Sequence, residues 1–444
     1  MKKVLNWSLS VAVAGFLFGF DTVVISGANL PIKNLWHTTP LFHGVFIMSM
    51  ALWGTVLGAM TGGIPCDKWG RKNTLIWIGI LFLVSALGSA LAPTPYVFSF
   101  FRFIGGIGVG VSSVAAPIYI SEISSASNRG KLGALFQFNI VFGILIAFFS
   151  NYLLQGFGGI NDWRWMMGIV AVPALIYSLV ILRVPESPRW LILHKKDNQA
   201  GIEVLEMIFD KKEAFQVFEE IKKDVIVSKV KENFFSNKYS LPIVLAFLIA
   251  FFNQLSGINF ILYYAPEILQ MAGLGSKDSL FNSIAIGGIN LVFTMTGMRL
   301  IDLLGRKQLM LIGSVGYIIS LGMIAFAFQA HLGSLVLLIS ILLFIASHAI
   351  GQGAVIWVFI SEIFPNNVRG SGQSFGTSVH WVFAALITLV GPVVIDIFKE
   401  NPWPIFTFFT FMMVLQLLFV LTIMPETKGL SLEELEHKML RNGE

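Results

Sequence analysis

Twelve apolar segments, each long enough to cross a lipid bilayer, recur along the chain. A hydrocarbon core about 30 Å thick requires roughly 20 apolar residues of α-helix. The segments lie at 7–30, 43–65, 73–92, 96–120, 131–155 and 163–183, then at 240–271, 280–301, 308–329, 335–360, 371–397 and 403–424. The pattern predicts an all-α membrane protein with twelve transmembrane helices, called spans 1 to 12 below.

A segment of different composition separates the sixth span from the seventh. It holds ten basic and ten acidic residues. Apolar residues recur in it at roughly helical spacing, at Ile202, Leu205, Met207, Ile208, Phe215, Phe218 and Ile221. We therefore expect short amphipathic helices on the cytoplasmic face. The predicted domains are an N-terminal six-helix bundle, this linker, a C-terminal six-helix bundle and a short cytoplasmic tail, at 1–185, 186–238, 239–424 and 425–444.

The composition excludes several classes of protein. Only 12% of the 444 residues are charged and 55% are hydrophobic, with a mean hydropathy of +0.77. So few charges cannot cover the surface of a soluble enzyme or a nucleic-acid-binding domain, and so hydrophobic a chain is not disordered. The single cysteine, Cys66, excludes a disulfide framework and a cysteine-based metal site. Neither a phosphate-binding loop nor a nucleophile–base pair is evident, so we predict no enzymatic activity, no cofactor and no metal.

The distribution of basic residues in the short loops predicts the orientation in the membrane. Such residues favour the cytoplasmic side. The loops after spans 2, 4, 8 and 10 contain Lys68, Arg71, Lys72, Arg129, Lys131, Arg299, Arg306, Lys307 and Arg369. The opposite loops contain Lys33, Arg164, Lys277 and Lys399. Both termini are therefore predicted to be cytoplasmic.

Three motifs occur twice at nearly one offset. The pairs are Ser121-Glu122-Ile123 with Ser361-Glu362-Ile363, Pro185-Glu186-Ser187 with Pro425-Glu426-Thr427, and Asp67–Lys72 with Asp302–Lys307. The repetition predicts two homologous six-helix bundles. In transporters built from repeats, the substrate site lies between the repeats near the middle of the membrane.

These motifs resemble those of the major facilitator superfamily, and of its sugar porter family in particular. The resemblance covers almost the whole chain and is closest to bacterial proton-coupled sugar symporters. It is carried by Gly63-x-x-x-Asp67-Lys68-x-Gly70-Arg71-Lys72, Pro185-Glu186-Ser187-Pro188-Arg189-Trp190 and Pro425-Glu426-Thr427-Lys428-Gly429. It implies a secondary active transporter that imports a monosaccharide by alternating access. One departure is Met298, which replaces a glycine in the second copy of the first motif.

The charged residues of these motifs are predicted to form a cytoplasmic latch. In the family, related residues close the cytoplasmic side in the outward-open state. The corresponding residues are Asp67, Arg71, Glu122, Arg129, Asp302, Arg306, Glu362 and Arg369. The alternative is that these charges only set the topology. The latch is the better explanation because topology requires basic residues and not the acidic ones that accompany them.

Two ionisable residues stand out inside the predicted spans, Asp21 in span 1 and Arg102 in span 4. Such residues are expensive in a bilayer and are functional candidates. A carboxylate and a guanidinium that meet there would offset part of each other's desolvation cost. The resemblance implies a proton-coupling pair, because facilitative glucose transporters carry a neutral amide at the position of Asp21. A static salt bridge and a facilitative uniporter are the alternatives.

Recognition of a sugar requires amides, which donate and accept hydrogen bonds, and an aromatic ring against a C–H face. By resemblance, the sugar contacts correspond to Gln137, Gln254, Asn259, Asn290 and Trp357, and the outer gate to Tyr263 and Tyr264. Asn253, His380 and Trp381 complete the predicted substrate site. Asn253 replaces a glutamine of the family and His380 replaces an amide. Taken singly, a buried membrane amide is more often a helix-packing group. The sequence assigns no purpose to Gln352.

The predicted partners are a monosaccharide, a proton and the lipid bilayer, with no nucleic acid. The residue pattern leaves open whether the sugar is a pentose or a hexose. The short loops are typical of a protein of the bacterial inner membrane, and we expect it to function as a monomer. A sugar receptor that does not transport is less consistent with the chain, since only about twenty residues follow span 12.

Overall fold

The computed structural model describes residues 2–125, 128–227, 233–365, 367–429 and 434–435. Within them, twelve helical segments are long and apolar enough to cross a membrane, which confirms the predicted architecture. Their bounds are Lys3–Trp36, Pro40–Thr61, Arg71–Ala90, Pro95–Glu122, Gly130–Leu154, Gly159–Ile181, Asn237–Met271, Ser276–Leu304, Arg306–Gln329, Ser334–Ile363, Arg369–Ile397 and Trp403–Thr422. Helices suit this composition because a helix satisfies its backbone hydrogen bonds without water.

Several spans are interrupted where the apolar pattern predicts a continuous helix. Span 7 consists of two helices, Ser240–Leu255 and Ile258–Met271, joined through Gly257 at a φ of 85°. Span 10 is divided into Ser334–Ile350 and Gln352–Ile363 by Gly351. Hydropathy does not register such breaks, because the residues on both sides of each break are apolar enough to continue the run.

Span 2 also differs from its prediction. It begins with a short helix at Pro40–Phe42 and a π-helical stretch at His43–Met48, and continues as Met50–Thr61. A separate helix, Gly63–Trp69, follows it, so the predicted end at residue 65 is wrong. The break sets the first motif apart from span 2: Asp67 and Lys68 lie on this short helix, and Arg71 and Lys72 begin span 3.

Span 6 is interrupted in a similar way. It starts with a 3-10 turn at Gly159–Asn161 and consists of two helices, Asp162–Gly168 and Ala171–Ile181. Pro173 lies two residues into the second helix, where its missing N–H and fixed φ are tolerated.

The predicted linker contains two helices, Asn198–Ile208 and Lys211–Val227. Asp197 caps the first of them, since its Oδ1 accepts a hydrogen bond from the N–H of Ala200 at 3.1 Å. Their packed faces share a small core that includes Leu205, Phe218 and Ile221. Two residues of the predicted apolar face, Met207 and Phe215, lie outside this core and are 48% and 58% exposed. The spacing of apolar residues predicted the helices correctly but made the buried face too wide.

The chain divides into two compact units. The first comprises Met1–Thr22, Trp53–Ile144 and Met167–Lys231; the second comprises Val23–Leu52, Leu145–Met166 and Glu232–Glu444. The second unit therefore includes the C-terminal part of span 1, the N-terminal part of span 2 and the connection between spans 5 and 6, together with the whole second set of six spans. The boundaries of these units do not follow the sequence repeat.

Candidate functional site

The first unit contains the ion pair that the sequence leads us to expect between spans 1 and 4. Arg102 Nη1 donates to Asp21 Oδ1 at 2.7 Å, and Nη2 donates to the backbone carbonyl of Asp21 at 3.1 Å. The two side chains are 1% and 3% exposed. A buried guanidinium thus binds both the side chain and the main chain of one residue, which fixes the position of the carboxylate on span 1.

Several polar atoms around this pair have no hydrogen-bond partner among the described residues. They are Asp21 Oδ2, Arg102 Nε and the hydroxyl of Ser85 on span 3. A Cβ added to Gly105 would lie 2.3 Å from Ser85 Oγ and 3.7 Å from Asp21 Oδ2, so both oxygens lie close to this glycine. Asp21 therefore has one carboxylate oxygen bound to Arg102 and one without a partner among the described residues.

The second unit contains a cluster of amides at the break in span 7. Gln254 and Asn259 lie on either side of Gly257, and Asn259 Nδ2 donates to Gln254 Oε1 at 2.8 Å. A Cβ on Gly257 would lie 2.8 Å from the ring of Phe409, so a side chain here would be crowded as well as strained by the positive φ. The break brings together two amides that are five residues apart.

Aromatic residues of spans 10 and 11 lie beside these amides. Gln254 Nε2 is 3.2 Å from both ring nitrogens of His380, and the His380 ring lies 4.9 Å from that of Trp357 and 4.8 Å from that of Trp381. Since the amide nitrogen is a donor, the imidazole must provide a lone pair and is neutral in this arrangement. Five of the predicted substrate residues, counting Asn259, thus form one cluster.

The other predicted site residues occupy separate positions. Asn290 on span 8 is buried, and its Oδ1 accepts a hydrogen bond from Thr294 at 3.4 Å. Tyr263 and Tyr264 are fully buried, and the hydroxyl of Tyr264 donates to the carbonyl of Thr388 on span 11 at 2.7 Å. Gln137 lies half-buried on span 5 in the first unit. In this arrangement Tyr264 holds span 7 against span 11.

Sequence reasoning missed the hydrogen bonds that continue from this cluster into the core of the second unit. Asn253 donates to Gln352 at 3.3 Å, Gln352 to Gln416 at 2.8 Å, and Gln416 to Ser314 at 2.8 Å. Gln352 and Gln416 are both fully buried. The available signal was that Gln416 interrupts an apolar run in span 12.

A second polar chain was also missed, and it includes a carboxylate. Asn29 Nδ2 donates to Glu267 Oε2 at 2.8 Å, and His43 Nε2 donates to Asn29 Oδ1 at 2.7 Å. Thr38 donates to His43 Nδ1 at 2.8 Å, which completes the hydrogen bonds of a neutral imidazole. The chain connects spans 1, 2 and 7 within the second unit. An acidic residue in an apolar segment was the signal for Glu267.

The repeated motifs form the same ion pair in both units. Arg71 binds Glu122 through two bonds of 3.0 Å and Asp67 at 3.1 Å. In the second copy, Arg306 binds Glu362 through bonds of 3.0 and 2.6 Å.

The remaining latch residues make weaker contacts or fall outside the description. Asp302 lies 3.8 Å from Arg306, and Arg369 Nε donates to the carbonyl of Phe364 at 3.3 Å. The side chain of Arg129 lies outside the described residues. The described ion pairs thus join each motif arginine to acids of its own repeat.

The second glutamate of each repeated pair caps a helix. Gly70 and Gly305 precede spans 3 and 9 with φ of 96° and 92° and provide no side-chain cap. Glu186 Oε1 accepts from the N–H of Lys72 at 3.0 Å, and Glu426 accepts from the N–H groups of Arg306 and Lys307 at 3.0 and 2.9 Å. These carboxylates satisfy the first free N–H groups of each helix, and their negative charge interacts favourably with the positive end of the helix dipole.

The two carboxylates differ in their acidity. Burial raises the pKa of Glu186, and hydrogen bonds from backbone N–H groups lower it by less, so the pKa lies above its ordinary value. Burial also raises the pKa of Glu426, but here the backbone N–H groups outweigh burial and the pKa falls below its ordinary value. The donors to Glu426 are the N–H groups of Lys428, Arg306, Lys307 and Thr427. Equivalent residues of the repeat therefore respond differently to pH.

Comparison with known proteins places this arrangement in a family. The family model described as "Sugar (and other) transporter" matches residues 7–439. The chain is 35% identical to the arabinose-proton symporter of Bacillus subtilis, over 98% of this chain and 95% of that protein. It is 33% identical to the D-xylose-proton symporter of Escherichia coli K12, again over 98% and 95%.

Solved structures agree with this assignment. The inward-open structure of the xylose transporter XylE from E. coli matches with a TM-score of 0.86 at 32% identity, over 98% of this chain and 99% of that one. The proton:xylose symporter XylE bound to 6-bromo-6-deoxy-D-glucose matches with a TM-score of 0.81 at 31% identity, over 98% and 99%. The chain therefore belongs to the sugar porter family of the major facilitator superfamily.

Proposed function

We propose that this protein is a secondary active transporter that imports a monosaccharide, a pentose or a hexose, together with a proton. The observation that carries the proposal is the buried pair of Asp21 and Arg102. Ionisable residues are retained inside membrane spans mainly where ions or protons move. The relatives named as arabinose-proton and D-xylose-proton symporters support the same assignment.

Asp21 is the proton carrier in this proposal. A proton binds at Oδ2, which has no partner among the described residues. The new O–H bond neutralises the carboxylate and weakens its attraction to Arg102. The protein then changes between outward-open and inward-open states with sugar and proton bound. Release of the sugar and the proton on the cytoplasmic side restores the ion pair, and return of the empty protein to the outward-open state completes the cycle.

The amides of spans 5, 7 and 8 bind the sugar hydroxyls, and the aromatic residues of spans 10 and 11 contact its C–H face. The proposed contacts are Gln137, Asn253, Gln254, Asn259, Asn290, Trp357, His380 and Trp381. The hydrogen bond between Gln254 and Asn259 supports this assignment, since it orients two adjacent amides. Tyr263 and Tyr264 form the outer gate, and no cofactor takes part.

The protein is a multi-pass membrane protein, and we assign it to the bacterial inner membrane with both termini in the cytoplasm. Nine basic residues in the loops and at the adjoining helix ends on the predicted cytoplasmic side, against four on the other, support this orientation. The relatives described above are bacterial. Since the twelve spans include both repeats, one chain suffices for transport and we expect a functional monomer.

The test is sugar uptake into proteoliposomes containing the full chain or its Asp21→Asn variant, with and without an imposed proton gradient. The wild type should accumulate D-xylose, arabinose or D-glucose and should carry protons inward with it. The variant should exchange sugar but lose accumulation, because an amide cannot carry the proton. Asp278→Asn, the same change at an exposed carboxylate, should behave as the wild type.

Two outcomes would contradict the proposal. Proton-linked accumulation that survives in Asp21→Asn would exclude Asp21 as the carrier. Wild-type uptake that never exceeds equilibrium, with or without a proton gradient, would identify a facilitative uniporter. In that case Asp21→Asn would act only on the stability of the protein, and a thermal unfolding measurement would detect it.

A further inference from the structure

A continuous chain of side-chain hydrogen bonds crosses the second unit from span 7 to span 9. In each bond the N–H of one amide donates to the oxygen of the next residue, in the order Asn259, Gln254, Asn253, Gln352, Gln416 and Ser314. The bonds measure 2.8, 3.0, 3.3, 2.8 and 2.8 Å. All six side chains are at most 9% exposed. Buried amides are tolerated only when their polar groups are paired, and this chain pairs them in succession.

Ser314, the last residue of this hydrogen-bond chain, determines the direction in which its bonds are donated. The hydroxyl of Ser314 donates to the carbonyl of Met310 at 2.7 Å, so its oxygen is left to accept from Gln416. The amide of Gln416 must therefore turn its nitrogen to Ser314 and its oxygen to Gln352. The same requirement passes from each amide to the next, since a reversed amide would set two donors or two acceptors against each other.

Close backbone packing brings the distant part of this chain together. A Cβ on Gly351 would lie 2.8 Å from the Cα of Gly313, and the reverse distance is the same. The two glycines let span 10 approach span 9 at the residue before Ser314. The break at Gly351 starts a new helix at Gln352. Gln352, which the sequence left without a purpose, thus connects the span 7 amides to span 12.

The direction of these hydrogen bonds also orients the amides at the span 7 end of the hydrogen-bond chain. Gln254 uses its oxygen for Asn259 and its nitrogen for Asn253 and His380. One N–H of Asn259 donates to Gln254, which fixes the orientation of the Asn259 amide and leaves its carbonyl oxygen and its second N–H for a sugar hydroxyl. The residues behind the cluster therefore decide where Asn259 places its acceptor and its remaining donor.

We propose that Gln352, Gln416 and Ser314 are positioning residues of the sugar site. Through the amide chain they hold Gln254 and Asn259 in one orientation and so select sugars by the direction of their hydroxyl hydrogen bonds. None of the three touches the sugar. The inference rests on the proposed function, because it assumes that the span 7 amides bind a sugar.

The test compares two identical substitutions on span 9, Ser314→Ala and Ser320→Ala. Both serines are fully buried, and both hydroxyls donate at 2.7 Å to the carbonyl four residues earlier. Ser314 also accepts from Gln416. Binding to the purified full chain is measured for D-xylose, arabinose, D-glucose and the 2-deoxy, 3-deoxy and 6-deoxy analogues of D-glucose. Thermal unfolding of both variants is measured in parallel.

Ser314→Ala should weaken binding of the preferred sugar by about three- to tenfold, the effect of losing one oriented hydrogen bond. It should also reduce discrimination between sugars that differ by a single hydroxyl, which a purely structural role would not do. Ser320→Ala should bind the panel as the wild type does. Equal affinities and equal discrimination in the two variants would overturn the inference.

A second pair of variants tests the chain at span 12. Gln416→Met has nearly the same shape without polar atoms and should weaken binding as Ser314→Ala does. Gln416→Glu, measured at acidic pH where its carboxyl is protonated, can donate to Ser314 and accept from Gln352, and should restore binding. If the wild type binds these sugars and Gln416→Met binds them equally well, the positioning role is refuted and the proposed function is not. A wild type that binds none of these sugars would refute the proposed function, and this inference with it.

Discussion

Beside the Asp21–Arg102 pair, span 4 carries Gly105 at a point where the neighbouring side chains leave no room for a methyl group. A Cβ there would lie 2.3 Å from Ser85 Oγ. The side chains of Asp21, Ser85 and Arg102, on spans 1, 3 and 4, therefore pack together in a space that exists because Gly105 has no side chain. The position of the charged pair of Asp21 and Arg102 therefore depends on a small residue at position 105.

Gly105→Ala should lower the free energy of unfolding by about 1–3 kcal/mol, because the added methyl group overpacks a buried site. It should also reduce proton-driven uptake by displacing Ser85 and Asp21. Thermal unfolding and the proteoliposome assay measure the two effects. Gly133→Ala is the control, since nothing lies within 4 Å of a Cβ at that helical glycine. Equal stability and uptake in the two variants would contradict the packing argument.

At the residue scale, the sequence identifies charged groups better than neutral ones. Asp21 and Arg102 stand out because an ionisable residue in an apolar segment is rare. Gln416 does not, because many neutral amides lie in the spans and only the packing of span 12 against spans 9 and 10 reveals its partners. Glu267 was overlooked because it lies toward the end of span 7, where charged residues are common.

At the scale of elements, spans 3 and 9 each begin with a glycine and depend on a glutamate far along the chain for their cap. A Cβ at Gly70 would lie 2.2 Å from Glu186 Oε2, and one at Gly305 would lie 2.7 Å from Glu426 Oε2. The glycines thus give both the positive φ of the turn and the space for the carboxylate. Local signals for helix starts cannot find such caps, because the capping residue is more than 100 positions away.

Glu186→Gln and Glu426→Gln should have opposite pH dependence. The pKa of Glu426 is lowered in the folded state, so its ionisation stabilises the protein above the ordinary carboxyl range and this contribution disappears as the pH falls. The pKa of Glu186 is raised, so its ionisation costs stability as the pH rises. At neutral pH, Glu426→Gln should cost about 1 kcal/mol, as for a lost helix cap.

Thermal unfolding of the wild type and both variants across the acidic and neutral range measures this difference. The advantage of the wild type over Glu426→Gln should grow with pH, whereas its advantage over Glu186→Gln should shrink. The repeat provides the control, because both changes are made at equivalent positions. Parallel pH profiles for the two variants would contradict the assignment of the two pKa directions.

The breaks in spans 7 and 10 mark the limit of prediction for whole elements. The apolar runs predicted both spans correctly but not their breaks. The join at Gly257 was not anticipated, because the span as a whole remains apolar enough to be predicted as one continuous helix. The packing of Phe409 against Gly257, which leaves no room for a side chain there, is a tertiary contact that the sequence pattern does not contain.

For the whole molecule, two copies of one arginine–glutamate arrangement form independently in the two units. Arg71 with Glu122 and Arg306 with Glu362 make the same two-bond pair, as the repeated sequence leads us to expect. The cytoplasmic latch requires in addition that these charges attract the other repeat in the outward-open state. That requirement stays a prediction.

Arg71→Ala should shift the population toward the inward-open state, because a latch residue stabilises the outward-open state only. Cysteines introduced on the two sides of the transport path report the shift, and those on the cytoplasmic side should react several-fold faster. Lys72→Ala removes the same charge from the next position of span 3 and should leave the rates unchanged. If both variants react alike, the charges serve topology and no latch exists.

Cys66, whose carbonyl oxygen accepts a hydrogen bond from Arg71, does not interfere with measurements on introduced cysteines. It is the chain's one cysteine and is 1% exposed. Burial raises the pKa of its thiol to about 11, and since the thiolate is the reactive form, Cys66 is unreactive at neutral pH. Arg71→Ala removes a cation that favours the thiolate and makes the thiol less reactive still. The natural chain is therefore a ready background for single-site spectroscopic labels, with no native residue to replace first.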